Sequence, residues 1–190
     1  MSTPASLPPR SGSRPGGRSA RIRAAVHQAV EELLTDQADE LLTIPVVAAR
    51  AGVHATTVYR RWGSVGELLT DVATSRFSGN IVVPDTGSLR GDLERYVSDV
   101  VKDLNDPDTL PLVRATIGAA GEQGADACTG ERRQQLQSML EREEARGGQT
   151  PTVERAVDAL LGPLYYRAVF TSQALTPEWA RSLVSHLLPD

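Results

Sequence analysis

The stretch Ala51–Ser64 reads AGVHATTVYRRWGS. It sets Arg60 and Arg61 between Tyr59 and Trp62, a few residues after a Gly-Val turn. A helix precedes it. Thr43 has the chemistry of an N-cap, Pro45 is tolerated in a first turn, and Ile44, Val47, Ala48 and Ala51 recur at helical spacing. Gly52 accepts a positive φ and so ends that helix. A further short helix is predicted over about 55–62, and Ser64 caps a fourth with Leu68, Leu69, Val72 and Ala73 inward. Two short helices joined by a glycine turn need a small residue where they cross, supplied by Ala48, and a turn residue without Cβ, supplied by Gly52. With Val53 and Val58 inward, His54, Ala55, Thr56, Thr57, Tyr59, Arg60 and Arg61 are left outside. So short a helix with so little apolar surface is poorly stabilised by itself. Its outer face is rich in groups that bind phosphate oxygens and base edges. A Tyr-Arg-Arg triplet alone reads as a solvated helix end. Ala48, Gly52, Val53 and Val58 at their mutual spacing turn the reading to a helix-turn-helix over about 43–62.

Working outward, Ile22, Ala25, Val26, Ala29, Val30, Leu33 and Leu34 mark an amphipathic first helix beginning near Ser19. Residues 1–18 carry four prolines and three arginines and are expected to be a disordered basic tail. Such a tail is either a mobile end or an arm adding phosphate and minor-groove contacts. After Phe77 a linker, SGNIVVPDTGS, separates the head, residues 19–78, from a larger body, residues 79–190. Every readable body segment is helical. Leu89, Leu93, Tyr96, Val97, Val100, Val101 and Leu104 form one stripe, DTLPLVRATIGAAG is a shorter apolar segment, and GERRQQLQSMLEREEARGG is a polar helix with a narrow line at Leu136, Met139 and Leu140. Thr176 and Pro177 open a last helix. No segment alternates with period two, so the fold class is all-α, a three-helix DNA-binding unit with a helical body.

The 190 residues carry a net charge of −4, unevenly placed. Residues 1–77 hold nine arginines against seven acids, while residues 78–190 hold eleven bases against seventeen acids. An acidic chain with a locally basic head is compatible with a nucleic-acid partner, because phosphates respond to the local field. One cysteine, Cys128, excludes an intramolecular disulfide and fits a reducing cytoplasm. No apolar run approaches the length of a membrane span, and the N-terminus has no secretory h-region. The three histidines, His27, His54 and His186, form no HExxH pattern, and no GxSxG, Walker or GxGxxG motif is present. An enzyme, a metal and a cofactor are therefore not expected.

The stretch LTIPVVAARAGVHATTVYRRWGSVGELLTDVA, Leu42–Ala73, with the helix before it, resembles the TetR family of bacterial transcriptional regulators. The match is a threonine cap, a helix with Ala, Gly-Val, Thr-x-Tyr with a following aromatic, then Ser-x-x-x-Leu-Leu. A weaker likeness covers PDTGSLRGDL and the segment from Leu160 to Leu188. The resemblance implies a homodimer with a DNA-binding head and a ligand-sensing body. Carried over by position, Thr43 holds a phosphate, Ala55, Thr56 and Thr57 face bases or adjoining phosphates, Tyr59 grips a phosphate, Arg60 and Arg61 reach the groove or its wall, and Trp62 anchors the helix. Three positions depart from the pattern: Pro45 where some relatives carry a base-reading arginine, His54 in place of a serine cap, and Val65 in place of a lysine. His54 either weakens the start of the helix or adds a protonatable contact.

In the body, the face from Val153 to Val169 is wider than one neighbour within the chain requires. With the last helix it is expected to form a four-helix interface across a two-fold axis, through Val157, Leu160, Leu161, Leu164, Trp179, Leu183 and Leu187. Pro163 cannot donate to the Ala159 carbonyl, which predicts a kink or weak point that is either plain structure or a pocket wall. Candidate ligand-lining residues are Tyr96, Leu112, Thr116, Met139, Tyr165 and Tyr166, suited to a small, mainly apolar effector. The expected function is a cytoplasmic repressor that binds a near-palindromic double-stranded DNA operator as a homodimer and is released by that effector. The alternative is a DNA-binding regulator without an effector, answering to a protein partner or to nothing.

Overall fold

The computed structural model describes residues 15–36, 41–77 and 82–188. All regular elements among them are helices. The head comprises α1 (Pro15–Thr35), α2 (Ile44–Arg50), α3 (Ala55–Tyr59) and α4 (Val65–Phe77). α1 starts at Pro15, so residues 15–18 of the expected tail are helical. Proline at a first helical position lacks only a donor that would have had no partner there. The rest of the tail, residues 1–14, lies outside the described residues.

The head core is built from one-sided helices. Val26, Ala29 and Val30 of α1, Ile44, Val47 and Ala48 of α2, Val58 of α3, and Leu68, Leu69, Val72 and Ala73 of α4 are all buried together. The Ser64 hydroxyl accepts the Glu67 N–H at 3.1 Å while the Glu67 carboxylate accepts the Gly63 N–H at 2.8 Å, a reciprocal cap that starts α4.

The body comprises α5 (Leu89–Leu104), α6 (Thr109–Ala145), α7 (Val153–Ala156), a π-helical turn at Val157–Leu161, α8 (Gly162–Phe170) and α9 (Pro177–Leu187). The two segments read separately over 108–148 are joined in α6, which breaks at Gly121 (φ 54°, ψ −127°) instead of passing through a loop. Only glycine takes that conformation without strain. The break lets α6 serve two cores. Leu112, Val113 and Cys128 pack with the head, whereas Leu136, Met139 and Leu140 pack with α5, α8 and α9. The apolar core therefore does not part at residue 78. The partly buried Tyr165 touches both clusters.

The irregularity expected at Pro163 takes the form of the π turn just before it. The Gly162 N–H bonds to the Val157 carbonyl, five residues back. The wider turn shifts the hydrogen-bond register where the proline ring would press on the preceding turn.

Candidate nucleic-acid interface

Thr43 has an extended backbone and its hydroxyl accepts the Val46 N–H at 3.4 Å, capping α2 as the sequence implies. Gly52 turns the chain with φ 66°, and the Val53 N–H returns to the Ala48 carbonyl at 2.9 Å. His54 occupies the cap position of α3 without a side-chain cap bond and stays exposed. The short α3 is held by two inward anchors, one within it and one just past its end. Val58 is fully buried, and Trp62, 4% exposed, donates Nε1 to Asp71 Oδ2 at 3.0 Å.

Asp71, on α4, is the hub of the head. It also accepts Arg23 Nε at 3.1 Å and Nη2 at 2.7 Å, and pairs with His27 Nε2 at 2.9 Å, both from α1. Partial burial would raise its pKa, but the hydrogen bonds from Arg23, His27 and Trp62 prevail and hold it below the usual carboxylate range. Three segments are thereby pinned behind α3.

In front of α3, Thr56, Tyr59, Arg60 and Arg61 are exposed, with Ala55 and Thr57 half-buried beside them. Tyr59 is 51% exposed, so its ring is not packed sideways into the head. Neither its hydroxyl nor the Arg60 guanidinium has a hydrogen-bond partner among the described residues. Arg61 differs: its Nη1 donates to Ser19 Oγ at 2.9 Å and its guanidinium lies 5.2 Å from the centre of the Trp62 ring. Arg18, Ser19 and Ile22 of α1 join Thr57, Arg60 and Arg61 around a groove of about 540 Å³. Ser19 is not among the contact residues expected from the sequence, and Arg18 is expected only as part of the basic tail. Their signal was the i, i+4 step from Arg18 to Ile22, obscured by assigning Arg18 to the tail.

A small, rigidly backed helix that presents unpaired hydrogen-bond donors beside a basic groove is suited to phosphate and base-edge contacts. The relatives agree. Residues 83–187 match the family model described as "Tetracyclin repressor-like, C-terminal domain". The chain belongs to the TetR family. The HTH-type transcriptional regulator AqdR of Rhodococcus erythropolis is 31% identical over 154 residues, which span 81% of this chain and 74% of that protein. The uncharacterized HTH-type transcriptional regulator YdeS of Bacillus subtilis is 25% identical, covering 84% of each chain. Among solved structures, the TetR family transcription regulator SCO0332 superposes with a TM-score of 0.67 at 28% identity, over 88% of this chain and 96% of that one. This TetR-family chain is thus a DNA-binding transcriptional regulator, all-α, with a helix-turn-helix head. No helix among the described residues is long and apolar enough to cross a membrane.

The body residues singled out for ligand and partner fall differently. Leu160, Leu161, Leu164 and Leu187 are buried in the chain's own body cluster. Much of the wide apolar stripe is covered within one protomer, where α9 packs on the π turn. Val157, Trp179 and Leu183 are only partly buried, with the Arg167 guanidinium 3.6 Å above the Trp179 ring. The exposed apolar surface of α8 is instead Tyr166 (64%) and Phe170 (73%), whose ring centres are 5.6 Å apart. Tyr166 therefore faces out of the body. Tyr96 and Met139 are buried in the body cluster, Leu112 and the buried Thr116 are on the first half of α6, and the Thr116 hydroxyl donates to the Leu112 carbonyl at 2.7 Å. Tyr165 alone joins the two groups. The six residues do not surround one space.

Proposed function

We propose that this regulator is a homodimeric repressor that occupies a near-palindromic operator through its two heads and leaves it when a small molecule binds the body. Thr43, His54, Ala55, Thr56, Thr57, Tyr59, Arg60 and Arg61 make the DNA contacts, with Arg18 and Ser19 extending them along α1. The observation that carries the DNA reading is the contrast on α3: Val58 and Trp62 locked inward, Tyr59 and Arg60 outward without partners. The heads sit about 34–36 Å apart, or a multiple of it, to meet successive major-groove half-sites. The self-interface uses Tyr166 and Phe170 with the partly exposed Val157, Trp179 and Leu183. Fluorescence anisotropy with the DNA upstream of the chain's own gene tests the reading. A near-palindrome there is bound specifically by the dimer; binding indifferent to its sequence rejects the operator assignment.

One observation favours the second reading, a regulator without a small-molecule effector. Tyr96, Leu112, Thr116 and Met139 are completely or almost completely buried in packed cores. A thermal-shift screen with metabolites separates the two: a stabilising ligand that also lowers operator affinity supports the sensor, since linkage makes the effects reciprocal.

A further inference from the structure

Arg132, on the second half of α6, is a cation inside the body with its side chain 2% exposed. Its Nη2 donates to Asp103 Oδ2 of α5 at 2.9 Å and its Nε donates to the Tyr165 hydroxyl at 3.1 Å. Its Nη1 is buried with no hydrogen-bond partner among the described residues. The two neighbouring phenols are already committed. The Tyr165 hydroxyl donates to the Cys128 carbonyl at 2.9 Å, and the Tyr96 hydroxyl donates to the Arg132 carbonyl at 3.0 Å. Asp103 is 29% exposed. The inner edge of the guanidinium therefore keeps an unfilled donor in the body interior, on the helix that also buries Leu136, Met139 and, three residues on from Arg132, Gln135, whose Oε1 is likewise buried without a hydrogen bond among the described residues.

For packing alone, an apolar side chain of similar volume serves such a place as well or better, because a buried charge loses hydration that one partner does not restore. With Nη2 already paired to Asp103, the guanidinium is short of one acceptor, at Nη1. Its complement is a carboxylate, which accepts from a guanidinium edge in charge-assisted bonds, attached to an apolar body.

We propose that Arg132 reads the carboxylate of a small amphiphilic effector lodged among α5, α6 and α8. This rests on the sensor reading of the body. The wall able to yield is the one that holds Tyr165. The π turn at Val157–Leu161 and the missing N–H of Pro163 interrupt its helical ladder just before that residue. Displacing Tyr165 from Arg132 also disturbs the residue that touches both cores, which ties the site to the head.

The test is calorimetry on the full-length protein without DNA, using straight-chain carboxylates from butanoate to dodecanoate, each beside its primary alcohol. At least one carboxylate binds about ten-fold or more tightly than its alcohol, and Arg132→Met removes that preference. Asp103→Asn, which removes the competing anion, tightens the carboxylate several-fold. Should Arg132→Met fail to fold, judged by circular dichroism, Asp103→Asn and Arg132→Lys carry the test, the lysine weakening the preference. Absence of any carboxylate preference in the wild type, retention of it in Arg132→Met, or weaker binding in Asp103→Asn overturns the proposal; the last is what a purely structural brace gives. Operator release is measured separately. A carboxylate held through Arg132 that leaves DNA binding unchanged keeps the site and removes the sensor reading. Alcohols that release DNA equally from wild type and Arg132→Met keep the sensor reading and remove the site.

Discussion

The head leaves Arg60 on the outside without a protein partner, and the body holds Arg132 on the inside with one donor unfilled. Arg60 stands on α3 in solvent without a protein partner, ready for a polyanion that arrives whole. Arg132 stands in the body core with two partners and one donor unfilled. The difference comes from what surrounds each. In the head, α3 is too short to bury more than Val58 fully, so Thr56 and Tyr59 face out while Ala55 and Thr57 are half-buried. In the body, the long α6 has neighbours along both halves, and Arg132 and Gln135 are enclosed with its apolar residues while Arg133, Gln134, Gln137 and Glu141 stay exposed. The same residue type is thus exposed without a partner in one region and enclosed with a single unfilled donor in the other.

The largest expected effects test whether the two regions are separate at all. Trp62→Ala removes the anchor behind α3 and should cost about 3–5 kcal/mol, and Leu164→Ala should cost about 2–5 kcal/mol. Because Leu112, Val113 and Cys128 of α6 lie in the head core, both variants should melt in one cooperative transition by calorimetry. Two resolved transitions, only one of them shifted by each substitution, would show head and body to be independent.

The exposed and buried faces of the α7–α8 rod give the next contrast. Replacing Tyr166 and Phe170 by serine should convert the dimer to monomers at micromolar concentration in sedimentation, with the helical circular dichroism retained. A dimer that survives both changes places the interface elsewhere. On the head, Arg60→Ala should weaken operator binding by about 1–3 kcal/mol if it meets a base edge. If it meets a phosphate, the salt slope of binding should fall by about 0.9 instead, uniformly across sequences. Arg61→Ala should also lower stability by about 1 kcal/mol, since it removes the bond to Ser19.

Asp71 supplies a pH test of the same head. Its pKa is depressed in the folded state, so its stabilisation is fully present above the unfolded value of about 3.9 and is lost as pH falls through the native value. Asp71→Asn should cost about 1–2 kcal/mol at neutral pH. The gap between variant and wild type should close in denaturant titrations below about pH 4. A gap independent of pH would mean that geometry, not charge, holds the hub.

The head was legible because its signals are local. A cap at Thr43, a left-handed turn at Gly52 and inward Val58 each act within a few residues, and each stands where the pattern places it. The hub at Asp71 was not legible, since its partners lie 9, 44 and 48 residues away in the chain. The body was legible as helices but not as surfaces. Apolar periodicity marks which side of a helix is buried and is silent on whether its neighbour is the same chain or another. Leu160 and Leu164 therefore read as an interface and are core. Arg132 sits in a charged run, ERRQQ, and looks like solvated surface until α5 and α8 close over it.

The smallest expected effect lies at the turn that separates α2 from α3. Gly52 has φ 66°, and a Cβ added there would meet nothing within 4 Å. Space is thus no objection to a side chain, and the cost is conformational alone. An alanine in the left-handed region loses roughly 1–2 kcal/mol. It also loses less entropy on folding, which returns about 0.4–1 kcal/mol. The net loss for Gly52→Ala should lie between about 0 and 1.6 kcal/mol, and Gly52→Asn, which tolerates that region, should lose less than Ala. Chemical denaturation measures both. The order Gly, Asn, Ala in stability is the signature of a required positive φ. Equal stability of all three would mean that the turn relaxes to another conformation, and α3 would then lose its aim: operator affinity should fall in the variants even though the fold is unharmed. If instead affinity is kept wherever stability is kept, the locked side of α3, Val58 and Trp62, orients the reading face without help from the turn.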